Sequence, residues 1–211
     1  YNGFRMGGGG YTLPRLKLAH IAKQANSIAH FKDELLPYYV DLMSEFMDMR
    51  IRFMVEESAF FKSNFLVREG FVKQENFVGM FGMVGLAECV NILLHIEDPL
   101  KGYGHLKQAD DLGEDIIRHL DDLVSKHTAP YSENSQNRYW LHAQVGIESD
   151  GLGSSPGTRI PIGAEPETHQ QINHSTRFHK YFPTGTGDIY RFDETWMNTP
   201  EALVDIIRGA L

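Results

Sequence analysis

The side chains with most chemical potential in this sequence are its ten histidines and its single cysteine, Cys89. His169, His174 and His179 recur at five-residue steps in a polar stretch that also holds Glu165 and Glu167. Metal ligation needs two or three imidazoles converging on one point, each held by a hydrogen-bonding partner behind it. Five-residue spacing gathers neighbours on one face of neither a helix nor a strand. The three therefore read as structural or surface residues, and no metal ligand is assigned. His142 lies in a strand-like segment, Trp140 to Ile147, and has two readings: a side chain turned into a cavity, or a satisfied core histidine.

Cys89 follows Glu88 in an apolar helix start. A reactive thiolate needs a base or a positive neighbour to lower its pKa, and no His or Arg lies close in sequence. It reads as buried and inert. One cysteine permits no internal disulfide and no zinc site built from several thiolates, and it fits a reducing compartment. Gly7 to Gly10 is not followed by Lys-Ser/Thr and lacks the dinucleotide-loop pattern. Gly151-Leu-Gly-Ser-Ser-Pro-Gly157 is only superficially like a nucleophile elbow. No catalytic residue is assigned within the chain.

The elements that must position these groups are long helices alternating with short strands. From Pro14, a proline suited to a first helical turn, apolar residues Leu18, Ile21, Ala22, Ala25, Ile28 and Ala29 recur at helical spacing. Pro37 ends or offsets that helix. A second pattern carries Leu42, Phe46, Met49, Phe53 and Phe60, a stripe read as core packing. Gly79, Gly82 and Gly85 punctuate the apolar run 77–86, which predicts backbone packed closely against a neighbour. A short buried helix follows over 86–94. Leu106, Ala109, Leu112, Ile116, Leu120 and Leu123 define an amphipathic helix, whose Asp110, Asp111, Glu114, Asp115, Asp121 and Asp122 read as a solvated acidic face.

Beyond Pro130 the pattern predicts a strand over 139–147, a loop over 151–163, and a turn at 184–188 feeding a strand at 189–192. A last helix is capped by Thr199 with Pro200 in its first turn. This alternation argues for an α/β arrangement, with too few strands to close a barrel.

Composition bounds the rest. A net charge of -8 argues against coating nucleic acid, which needs a basic face. The longest apolar runs stop far short of a membrane span. Tyr1 is preceded by no initiator Met, and nothing near it resembles a signal peptide. A soluble, cytoplasmic protein is expected.

Four segments resemble a known family. Phe4-Arg-Met-Gly-Gly-Gly-Gly-Tyr-Thr-Leu-Pro-Arg-Leu16 is similar to the glycine-led strand ending in Asn-Leu-Pro-Arg of anaerobic (class III) ribonucleotide reductases. Phe81-Gly-Met-Val-Gly-Leu-Ala-Glu88 resembles that family's Gly-x-x-Gly-Leu-x-Glu element. Asn173-His-Ser-Thr-Arg-Phe-His179, with Tyr181-Phe-Pro-Thr-Gly-Thr-Gly-Asp-Ile-Tyr190, resembles its Thr-Asn-Ser-Phe-His segment and later strand. Thr199-Pro-Glu-Ala-Leu203 resembles the helix after it. The order is the family's own, and the match is nearest to the YjjI-type glycyl radical proteins.

The resemblance implies part of a ten-stranded α/β barrel, residues 1–211 forming one incomplete domain of a parent protein that is usually a homodimer. It implies a glycyl radical installed by a separate S-adenosylmethionine/[4Fe-4S] activase. That radical would oxidise a finger-loop cysteine, whose thiyl abstracts hydrogen from a small-molecule substrate. Both residues are expected outside the chain, the cysteine before Tyr1 and the glycine beyond Leu211; Cys89 is not the thiyl. Thr12 replaces the reductase Asn, and the segment 147–156 replaces the Ser-Thr-Pro-Ser-Glu-Ser element. These departures argue against ribonucleotide reduction and for another small substrate. Thr12, Glu88, His142 and Thr184 are expected nearest the cavity. Two alternatives are a catalytically idle binding module of the same fold and a hydrolase with a metal held by His169, His174 or His179.

Overall fold

The computed structural model describes residues 7–143, 153–192 and 194–210. The chain opens with two short strands, β1 (Gly9–Thr12) and β2 (Arg15–Lys17), joined through Leu13 and Pro14. Pro14 thus precedes a strand and does not open a helix. A residue before proline is pushed to extended backbone, and the Pro14 carbonyl accepts a bond from Gly82 N at 3.0 Å. Helix α1 (Leu18–Ala22) follows at once and stops after five residues. The continuous helix expected over this stretch is broken, because Ser27 caps a new start, its side chain accepting from His30 N, at α2 (Ile28–His30).

A wide π-helical turn, Phe31–Leu35, then leads into α3 (Leu36–Arg52), with Pro37 in its first turn. Pro37 offsets the helix instead of ending it, since a first-turn residue needs no N–H partner. A second π-turn closes α3 at Phe53–Glu57, and two short helices, α4 (Phe60–Ser63) and α5 (Phe65–Arg68), follow.

Strand β3 (Phe77–Val84) is buried at every residue. It pairs in parallel with β1 through Gly9–Phe77 and Thr12–Gly79, and with β2 through Arg15–Gly82 and Lys17–Val84. The register slips by one residue between Gly10 and Thr12; beyond that bulge β1 and β2 keep one offset and run along the same edge of β3 as an interrupted strand. On the other edge β4 (Trp140–His142) pairs in parallel, Met80 with Trp140 and Gly82 with His142. Ala143 is bridged in parallel to Thr186.

Between β3 and β4 lie α6 (Leu86–Leu93) and α7 (Lys107–Lys126); α8 (Thr168–Thr176) and α9 (Pro200–Ala210) come after. The last helix starts at the expected residue. Residues 189–192 form no strand; the neighbouring chain contributes only the single Thr186 bridge. The remainder of the expected 139–147 strand and part of the 151–163 loop lie outside the described residues. A four-stranded open parallel sheet with helices is what these residues contain, so a closed ten-stranded barrel is not present in them.

The sheet has two unlike faces. Phe77, Phe81 and Met83 of β3, with Leu141 of β4 and its neighbours Tyr139 and Ala143, join the main hydrophobic core under α1, α3, α6 and α7. Val78, Met80 and Val84 point the other way and are buried outside that core. Helix α7 buries Ala109, Gly113, Ile116, Ile117, Leu120 and Val124. Its acidic face is not simply solvated. Arg177 bridges Asp111 at 2.6 Å and Glu114 at 3.1 Å, Lys180 reaches Glu114 at 2.7 Å, and Lys32 pairs with Asp115.

Helix α3 corrects the sequence reading most sharply. Its buried side is Leu36, Val40, Met43, Met47 and Ile51. The stripe expected in the core lies outside: Leu42 is 51% exposed, Phe46 42%, Met49 61% and Phe53 58%. Both sides of the helix are apolar, so composition alone did not choose between them.

Candidate functional site

Across a parallel ladder, register partners project to the same face. Gly82 stands between Arg15 on one edge and His142 on the other. Arg15 and His142 therefore occupy one row, two strand spacings or roughly 10 Å apart, on the face turned away from the helical core. Glycine is required between them. A Cβ on Gly82 would stand 2.7 Å from the Pro14 carbonyl oxygen and 3.0 Å from the Leu13 side chain.

His142 Nδ1 lies 3.1 Å from Thr184 Oγ1. The Ala143–Thr186 bridge brings the 184–188 turn alongside β4 and sets up this contact across 42 residues of sequence. Burial pushes the His142 imidazole below the ordinary histidine value, favouring the neutral ring. Two of the four expected cavity residues are thus brought together.

The other two are placed elsewhere. Thr12 is buried opposite Gly79, just past the β1 bulge and short of the row that holds His142. Glu88 sits in the first turn of α6, where a carboxylate complements the helix dipole. Gly85 caps this helix with φ of 78°, a left-handed conformation that disfavours any Cβ. Glu88 Oε1 accepts two bonds from Ser155, from N at 2.9 Å and from Oγ at 2.7 Å. Ser155 returns its carbonyl to Gly85 N at 2.7 Å, tying the loop to the end of β3. Among the described residues Glu88 Oε2, which is buried, has no hydrogen-bond partner. An unsatisfied buried acceptor costs about 1 to 3 kcal/mol, more when charged.

Glu88 also lines a cleft of about 550 Å³ at the carboxyl ends of β2 and β3. In open parallel sheets this is where ligands bind. Ser155 and the cleft's basic wall escaped the sequence reading; only the strand-end position of Lys17 signalled them.

Cys89 is fully buried, and burial together with the adjacent Glu88 charge pushes its thiol far up. Of the three spaced histidines, His169 and His179 are exposed and His174 is buried. The His174 ring meets the edge of Tyr103 at 4.6 Å, with Asp110 Oδ1 3.3 Å from Nε2. Burial raises the Tyr103 hydroxyl well above its ordinary value, and it donates to the Thr158 carbonyl at 2.8 Å. Among the described residues no three His, Cys, Asp or Glu side chains gather to hold a metal ion. Among them, too, no helix is long and apolar enough to cross a membrane.

A family model for "Glycyl radical enzyme YjjI-like" proteins matches residues 1–211. A Haemophilus influenzae protein is 42% identical over 212 residues, covering 100% of this chain and 41% of that protein. The YjjI protein of Escherichia coli K12 is 40% identical over 210 residues, covering 100% of this chain and 40% of its own length. The chain thus spans about two fifths of the curated relatives it matches. Among solved structures, an anaerobic ribonucleotide reductase superposes with a TM-score of 0.68 over 94% of this chain and 34% of its own, at 14% identity. The Thermotoga maritima anaerobic ribonucleotide reductase with citrate in the active site gives 0.68, 93% and 38%, also at 14%. At that identity the likeness is one of fold.

Proposed function

The chain belongs to the YjjI-like glycyl radical enzyme family, and we propose that it forms part of the wall of a ten-stranded barrel in which a radical abstracts hydrogen from a small molecule. The observation that carries this reading is the His142–Thr184 contact, on the sheet face turned away from the helices. A barrel wall needs polar groups on the face opposite its outer helices, and Arg15 and His142 stand there beside the apolar Val78, Met80 and Val84. With Thr184 donating to Nδ1, the neutral His142 ring keeps its proton on Nε2 and offers it to a substrate oxygen. Arg15, in the same row, supplies fixed positive charge on the neighbouring edge.

The glycyl and thiyl residues supply the hydrogen-abstracting chemistry from parts of the polypeptide outside these residues. Cys89 is unsuited to it, being sealed among the helices and separated from the His142 row by the sheet. In this reading a radical S-adenosylmethionine activase carrying a [4Fe-4S] cluster charges the parent protein, which works as a homodimer in the cytoplasm. By the sequence resemblance Thr12 stands where the reductases have an amide, but it pairs with Gly79 on the helical side of the sheet, so the substrate is left to the His142 face.

The test is anaerobic activation of the full-length protein with its activase, followed by electron paramagnetic resonance. A stable organic radical is expected, quenched faster when a substrate is supplied. His142→Ala and Thr184→Val should leave the radical yield unchanged while slowing that quenching. Absence of any radical under complete activation sinks the enzymatic reading and leaves the idle binding module in its place.

A further inference from the structure

The turn that carries Thr184 is held at two points. Its middle is bridged to β4 through Thr186 and Ala143, and its end is fixed by Asp188. Asp188 Oδ1 accepts from Ile189 N at 2.8 Å and from Gln171 Nε2 of α8 at 2.9 Å, and Arg159 Nε lies 3.5 Å from it. Gln171 Nε2 also donates to the Ile189 carbonyl at 3.2 Å, so two consecutive residues are clamped to α8. The Arg159 and Asp188 side chains are only 2% and 9% exposed, and Gln171 is buried with them. The loop before Arg159 is fastened in turn to the end of β3: Pro156 is bridged to Val84, and Gly157 N donates to the Met83 carbonyl at 3.3 Å. Asp188 therefore ties the turn both to α8 and, through Arg159, to the central strand. Burying a charged pair is a weak way to add stability, because desolvation offsets much of the attraction. The geometry fixes a position instead, and that position lies four residues from Thr184.

We propose that Asp188 is a positioning residue for the His142 site: through Arg159 and Gln171 it holds the 184–188 turn where Thr184 donates to His142 Nδ1, and so decides which ring nitrogen carries the proton. A neutral imidazole has one N–H, and the hydrogen bond made at one nitrogen sets the proton on the other. A turn released at Asp188 lets Thr184 drift from the ring. The ring can then carry its proton on Nδ1, and Nε2 offers a substrate an acceptor where it had offered a donor. The consequence for substrate rests on the reading of His142 given above; the consequence for the ring does not.

Magic-angle-spinning NMR of the full-length protein, unactivated and carrying isotope-labelled histidine, reads the tautomer directly. His142 is identified by the signals that vanish in His142→Ala. The unaltered protein is expected to show Nε2 protonated and Nδ1 bare. Asp188→Leu combined with Arg159→Met replaces the pair with apolar side chains and leaves no lone buried charge, so the protein should still fold. A second set of His142 signals, with Nδ1 protonated, should then appear, as it should in Thr184→Val. If that double variant does not fold, Gln171→Leu removes the clamp to α8 while keeping the pair, and should give the same second set in smaller amount. After activation, the double variant should also slow substrate-dependent quenching of the radical, as Thr184→Val does. A changed ring with unchanged quenching supports the positioning and removes the substrate role of His142, which keeps the two claims separable. A folded variant of either kind whose His142 signals match those of the unaltered protein overturns the proposal, and so does an unaltered protein with its proton on Nδ1.

Discussion

Gly79→Ala is the substitution whose cost follows most directly from the geometry of β3. A Cβ at this position would lie 2.4 Å from Cδ1 and Cε1 of Tyr139 and 3.2 Å from Cε of Met47. Carbon atoms pack at about 3.5 to 4.0 Å, so the ring must retreat by roughly 1 Å or more. It has little freedom to do so. Tyr139 is buried, its hydroxyl donates to Asp48 Oδ1 at 2.5 Å, and its ring stacks on His127 with centroids 5.5 Å apart. Overpacking a core costs about 1 to 3 kcal/mol, and losing a hydrogen bond to a charged group about 1.5 to 3 kcal/mol. We expect Gly79→Ala to destabilise by roughly 3 to 5 kcal/mol, a large share of the 5 to 15 kcal/mol that holds a domain together. Urea denaturation of the full-length protein measures it, with Gly209→Ala as control, since nothing lies within 4 Å of that position. Adding Tyr139→Val to Gly79→Ala should give a loss well below the sum of the two single losses, because the two changes share one contact. A loss under about 1 kcal/mol, or strict additivity, refutes the reasoning.

Three further outcomes are expected. Met47→Ala, fully buried on α3, should cost about 2 to 5 kcal/mol, whereas Met49→Ser on its exposed side should change stability by no more than about 0.5 kcal/mol; comparable losses in urea would reverse the assignment of faces. Cys89 should resist iodoacetamide in the native protein and react once it is unfolded, which mass spectrometry reads directly; native labelling would contradict its burial. Hydrogen bonds from Lys180 to Glu114 and from Lys107 to Asp111 hold both carboxyls below the usual range. A depressed carboxyl adds stability that is present above about pH 4.5 and lost as pH falls through its folded value. Lys180→Met should therefore raise the pH of acid unfolding, an effect that shrinks in high salt; an unchanged acid midpoint would show that the pair contributes nothing.

What the sequence disclosed follows from the range of each interaction. The triplet spacing of Gly79, Gly82 and Gly85 announced close packing, because a missing side chain is visible locally; the neighbours, Tyr139 and Pro14, were not. The inner face of α7 was legible from Ala109, Ile116 and Leu120, since its outer face is acidic. Helix α3 offered no such contrast: Leu42 and Phe46 are as apolar as Val40 and Met47, and only tertiary packing separates them. The His142–Thr184 pair was half legible, both residues being strand-end or turn positions, but their meeting depends on the Ala143–Thr186 bridge. Nothing local linked Glu88 to Ser155, which are 67 positions apart. His174 is buried against Tyr103, which with Asp110 approaches it only when the segment folds onto α7.

The pairing of β3 on both edges has a kinetic side. Its partners lie roughly 60 to 70 residues away in each direction, a separation that closes slowly because loop entropy must be met before any contact rewards it. Emerging from the ribosome, β3 can meet β1 and β2 at once, but its second edge stays open until Trp140–His142 has been made. During that interval an eight-residue apolar strand presents an unpaired edge, the feature most prone to join a neighbouring chain. Yield of folded protein should then depend more on how fast β4 arrives than on the final stability of the sheet.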